Sequence, residues 1–165
     1  MSKLSRKQRE SILSAISFGF FLILAGAIFF ATPHLFDDIL AFFRDFDAVP
    51  VPNYGFPLPG PVTPEAHLTV YTAAGQFCLA WSFFQIGMLA LRIVARSSIS
   101  KMAETASNII YWFGSYYLVQ RSLIETTRWF EYWALIIALL GMSLIARGIF
   151  VAVAYTYRRR FYGNP

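Results

Sequence analysis

The sequence predicts an all-α integral membrane protein, a four-transmembrane-helix bundle carrying a short amphipathic helix and a Pro-rich loop on its outer side. Three observations point there. Of 165 residues, 57% are hydrophobic and only 14% charged, where a soluble domain has about 25% charged residues. The mean hydropathy is +0.52. The charged residues are also segregated, so that apolar runs of membrane-spanning length lie between them.

Ile12 to Ala31 contains no Asp, Glu, Lys or Arg. At about 1.5 Å per residue this run matches the roughly 30 Å hydrocarbon layer, and a first span is expected over 11–32. Its basic start (Lys3, Arg6, Lys7, Arg9) and Ala25-Gly26-Ala27 also resemble a secretory signal with a cleavage site near residue 27. The apolar run continues through Ile28-Phe29-Phe30, so a retained anchor is the expectation.

Thr32-Pro33 reads as a helix start. Leu35, Phe36, Ile39, Leu40, Phe42, Phe43 and Phe46 share one face, and Asp37, Asp38, Arg44 and Asp45 the other, which predicts an outer amphipathic helix over 34–47. Its acidic polar face favours packing on the protein itself over anionic lipid. Six of the eight prolines follow between Ala48 and Pro64. They predict a loop over 48–64 of extended polyproline type, neither strand nor helix, with a turn at Asn53-Tyr54-Gly55.

A second span is expected over 67–95, a third over 104–123 and a fourth over 128–157, followed by a basic tail over 158–165. The third is the least apolar, with Thr105, Ser107, Asn108, Ser115, Tyr116, Tyr117 and Gln120. Such a helix must be buried or line a wet path. Trp129 and Trp133 mark one interface, and Tyr155, Tyr157, Phe161 and Tyr162 the other.

Charge sets the orientation. With the amino terminus, the loop after the second span and the tail on one side, that side carries eleven basic and two acidic residues, or +9. The other carries three basic and seven acidic, or −4; together they give the net +5. Basic residues in short loops stay inside, so both termini are expected in the cytoplasm, with the chain in the plasma membrane. The basic residues flank membrane spans, which accounts for them through lipid head groups and removes nucleic acid as an expected partner. The Arg158-Arg159-Arg160 cluster reads the same way.

Chemistry is sparse. Cys78 is the single cysteine and reads as a small hydrophobe. No span carries a histidine to ligate haem, nor a central Asp, Glu or His to relay protons. No cofactor is expected. The one candidate metal constellation is His34, Asp37 and Asp38 with Glu65 and His67 from the far end of the loop. Gln76, Asn108, Ser115 and Gln120 are candidates for interhelical hydrogen bonds or a pore lining. At inner depth Glu104 is expected to pair with Arg147 or Arg92. Small residues recur in ladders: Ser11, Ala15, Gly19; Ala73, Ala80, Gly87; Ala134, Gly141, Gly148. They let backbones approach within a bundle or between copies. Ile93-Val94-Ala95-Arg96-Ser97 resembles Leu144-Ile145-Ala146-Arg147-Gly148, a faint trace of duplication.

Three functional readings follow. The first is a non-enzymatic accessory, scaffold or self-associating subunit, whose partners are the lipid bilayer and either further copies or a larger membrane complex. The second is an oligomeric channel or facilitator for a small cation or polar solute, fed by Asp37, Asp38, Asp45 and Asp47. The third uses a metal at the outer histidines.

Overall fold

A computed structural model describes residues 5–162, with side chains for all but 6, 7 and 157–162. The expected contributions of Lys3, Arg6, Lys7, the aromatic residues after 156 and the Arg158-Arg159-Arg160 cluster therefore lie outside the described side chains. The chain is mostly helical: α1 (Arg6–Ala31), α2 (Leu35–Arg44), β1 (Phe46–Pro50), β2 (Pro57–Pro61), a 3₁₀ turn (Pro64–His67), α3 (Leu68–Val94), α4 (Ile99–Leu118), a π-helical turn (Val119–Ile124) and α5 (Trp129–Tyr162). Three helical stretches are long and apolar enough to cross a membrane: Gln8–Ala31, Pro64–Val94 and Trp129–Thr156.

Local chemistry sets the boundaries. Ser5 opens α1 with a capping box: its hydroxyl accepts from the Gln8 amide at 3.3 Å, and its amide donates to Gln8 Oε1 at 2.8 Å. Pro33 has no amide to continue the ladder, and His34 in the left-handed region (φ 60°) turns the chain into α2. Thr32-Pro33 thus closes the first helix instead of opening the second. The amphipathic helix is also shorter than 34–47, because Asp45 caps it and Phe46 already lies in a strand.

The larger correction concerns the prolines. Residues 46–61 form an antiparallel two-stranded hairpin, so the protein is not purely α-helical and the loop is not a polyproline chain. Pro50 faces Pro57, Ala48 faces Pro59 and Phe46 faces Pro61. The flanking pairs are the hydrogen-bonded ones: Val62 donates to the Asp45 carbonyl and Val51 to the Phe56 carbonyl, each at 3.0 Å. Antiparallel pairs alternate, so each of these prolines occupies a non-hydrogen-bonded pair whose missing N–H would have pointed away from the partner. Their spacing of two is the strand period itself. Pro52 and then Asn53 (φ 69°) make the turn, as in type II geometry.

The third long helix explains its own polarity. α4 packs against α3 on one side and α5 on the other, while α1 rests on α3. Thr105, Ser107 and Ser115 are buried, and their hydroxyls donate to carbonyls of the same helix, Lys101, Glu104 and Tyr111, at 2.8–2.9 Å. Among the glycines, close approach falls outside the small-residue ladders. A Cβ at Gly114 would stand 2.6 Å from Leu139, and one at Gly75 would stand 3.3 Å from Val119. At Gly19, Gly87, Gly141 and Gly148 it would meet nothing within 4 Å.

Candidate functional site

Polar side chains gather at the two ends of the long helices. The first group fastens the hairpin. Asp45 Oδ2 accepts three hydrogen bonds at 2.9 Å each, from the Thr63 amide, the Thr63 hydroxyl and His67 Nε2. These bonds, led by the one from the Thr63 backbone, hold the Asp45 carboxyl below its ordinary value, against a smaller opposing effect of burial. Around them Phe42 makes edge-on contacts with His67, Tyr71 and Trp129 at centroid distances of 5.2, 6.0 and 5.7 Å. The backbone of Gly60 lies against Trp129, where a Cβ would stand 3.0 Å from the ring. Tyr71, Val119 and Leu123 form a buried core directly beneath. Helix α2, the hairpin and the starts of α3 and α5 are therefore one rigid cap.

The five candidate metal ligands do not converge in this cap. His34 sits 3.7 Å from Asp37, both largely exposed, Glu65 is exposed, and His67 is buried on Asp45 instead. Among the described residues no three His, Cys, Asp or Glu side chains come together as a metal would need. The Asp45–His67 pair escaped sequence reasoning because the partners are 22 residues apart. The signal was present in the period-two prolines, since a hairpin over 46–61 brings Asp45 opposite Val62 and hence next to Thr63.

The second group lies where α1 and α4 begin and α3 ends. Arg92 is mostly buried and donates from Nη1 to Glu10 Oε2 at 3.1 Å, and Arg9 donates to the Ala95 carbonyl at 3.3 Å. Glu104 takes Lys101 at 3.1 Å and Arg147 at 3.9 Å. Of the two partners expected for Glu104, Arg147 is within reach, whereas Arg92 belongs to Glu10.

Between these ion pairs a cleft of about 400 Å³ opens between α1 and α4, with α3 behind it. Ser14, Ser17, Gln85, Arg92, Lys101 and Asn108 give it polar walls, and Phe18, Phe21 and Trp81 an apolar inner end. Beyond that end the rings continue. Phe20 stacks on Phe84 at 4.0 Å, Phe77 stacks on Trp81 at 5.9 Å, and Trp112 meets Phe77 and Trp81 edge-on at 5.8 and 6.3 Å. Of the four pore or interhelical candidates, only Asn108 lines the cleft. Gln76 is exposed, Ser115 is bonded to its own helix, and Gln120 lies beside Gly75 past the aromatic layer.

Comparison of the chain with protein families, with curated proteins and with solved structures finds no match.

Proposed function

We propose that this protein is a four-span subunit of the plasma membrane, with both termini cytoplasmic and the cap outside, that acts by association and not by catalysis. The fourth span in this reading is α4 with its π turn, sheltered between α3 and α5 and so relieved of the need to be apolar throughout. The observation that carries the reading is the set of unused small residues. Gly19, Gly87, Gly141 and Gly148 face open space, and α1 leaves most of its surface uncovered, with Ile23 71% exposed. In a bilayer, small side chains favour helix contact by letting backbones come close. Surfaces of this kind on α1, α3 and α5 support a chain that completes its packing with further copies or with another membrane protein.

The cation channel is the second reading, favoured by Asn108 and Gln85 in the polar cleft. The aromatic layer at Phe20, Phe77, Trp81, Phe84 and Trp112 weighs against a continuous wet path through one copy. Reconstitution separates the two. The association reading expects a defined oligomer or complex in nanodiscs, a smaller species for Gly141→Leu with Gly148→Leu, and vesicles tight to cations. Cation leakage abolished by Asn108→Leu would replace it with conduction. Tags on the two termini that label from opposite faces of cells would overturn the orientation.

A further inference from the structure

The cleft between α1 and α4 is polar at one end and apolar at the other. Arg92 and Trp81 on the wall formed by α3 are eleven residues apart, so the cleft grades from cation to ring over about 16 Å. Two cations, Arg92 and Lys101, and one carboxylate, Glu104, line this cleft; Arg92 pairs with Glu10, and Glu104 is shared between Lys101 and Arg147 from outside the lining. Arg92 retains a buried Nε that donates to nothing among the described residues. A buried guanidinium donor left without an acceptor is costly, and the geometry of that group suits an oxyanion, which it binds through two parallel N–H bonds. Ser14, Gln85 and Asn108 add neutral donors along the walls, while the Ser17 hydroxyl donates to the Leu13 carbonyl at 3.0 Å. Phe18 and Phe21 lie on the side of the cleft formed by α1 and, with Trp81, offer an apolar surface past the donors. A volume of about 400 Å³ falls within the range of small-molecule sites.

We infer that this cleft binds an anionic amphiphile, a phospholipid whose phosphate sits at Arg92 and Lys101 and whose chain runs toward Phe21 and Trp81. The site belongs to a single copy, so it stands whether or not copies associate. Arg92 attracts the head by its charge while Nη1 stays on Glu10, and its Nε, closed off from the cleft here, reaches the phosphate once the guanidinium turns toward it. Lys101 adds charge without geometric demand. The aromatic end sets the requirement for a chain, because Phe18 and Phe21 are exposed along the cleft and only an apolar chain covers them.

The test uses the full chain, stripped of lipid in a non-ionic detergent and titrated under native mass spectrometry. The probes are dioctanoyl phosphatidic acid, dioctanoylglycerol, which lacks the phosphate, and inorganic phosphate. The expected result is saturable binding of the phosphatidic acid, with both other probes at least about tenfold weaker, since each lacks one half of the recognition. Arg92→Gln should weaken the phosphatidic acid by about tenfold, Arg92→Lys less, and Arg96→Gln, outside the cleft, should change nothing. Should Arg92→Gln fail to fold, Ser14→Leu leaves the Arg92–Glu10 pair in place and fills the cleft from α1, and it should block binding. Equal retention of dioctanoylglycerol would overturn the role of the phosphate. Inorganic phosphate binding as tightly as the lipid would overturn the lipid as the source, and binding unaffected by Ser14→Leu would place the ligand elsewhere.

Discussion

His67 Nε2 lies 2.9 Å from Asp45 Oδ2, and this contact joins the end of α2 to the entry of α3 across 22 residues of chain. The same carboxylate oxygen holds the amide and hydroxyl of Thr63, so one side chain organises the junction of three elements.

That arrangement makes the cap sensitive to acid. Asp45 is held below its ordinary value of 3.8, so its contribution to stability is complete above that value and is lost as pH falls through it toward the lower folded value. The protection factors of the Leu58, Gly60, Val62, Thr63 and His67 amides, corrected for the intrinsic exchange rate at each pH, should fall as the pH drops below the ordinary value. Asp45→Asn should remove most of that acid dependence and raise exchange at neutral pH. Protection factors that stay constant through this range in the unmodified chain would contradict the assignment.

The contact between α4 and α5 depends on the absence of a side chain at Gly114. A Cβ there would stand 2.6 and 2.7 Å from the two terminal methyl groups of Leu139 and 3.2 Å from its Cγ, and Leu139 is itself buried. Gly114→Ala should destabilise the protein by about 1–3 kcal/mol through overpacking. Leu139→Ala alone should cost about 2–5 kcal/mol, and the loss in the double variant should fall short of the sum of the two single losses, which thermal melting in detergent would measure. Additive losses in the double variant would mean that the two positions do not share the contact.

Glu104 sits between Lys101 at 3.1 Å and Arg147 at 3.9 Å, all three partly exposed. Glu104→Gln should therefore lower stability only modestly, by about 1 kcal/mol or less, as partly solvated pairs do. High salt should erase the difference. A larger loss, insensitive to salt, would indicate a desolvated pair.

Arg96 ends α3 in the left-handed region at φ 52°. Ser97 donates to the Arg92 carbonyl at 2.9 Å and Arg96 to the Ile93 carbonyl at 3.0 Å, the pattern of a Schellman motif, in which glycine is the preferred residue. Arg96→Gly should stabilise the protein by about 1 kcal/mol by relieving the Cβ strain. A lower melting temperature would show that the Arg96 side chain contributes more than its backbone costs.

Much of the helical layout was legible in the chain because it follows from composition read locally. The apolar runs and the helix start near Trp129 need no distant partner to be recognised, whereas Pro33, read as a start, closes α1, and α4 begins at Ile99, ahead of the expected 104. The hairpin was legible only in part. Six prolines argue against a strand unless their spacing is weighed, and only pairing shows that Pro50, Pro57, Pro59 and Pro61 all fall at positions that need no donor. The candidate site was less legible still. Arg92 was visible as a cation at a helix end, but nothing in the spacing of Glu10 and Arg92, 82 residues apart, links the two.

The sequence by itself determined that the chain is mostly helical, where its long apolar helices lie and how its charge is divided, since hydrophobicity, capping and proline geometry act within a few residues. The tertiary structure decided which residues meet: Asp45 with His67, Arg92 with Glu10, Gly114 with Leu139, and the rings that end the cleft. Such meetings depend on how helices lean on one another, and a shift of a single turn, about 5.4 Å, would exchange every partner while leaving each local signal unchanged.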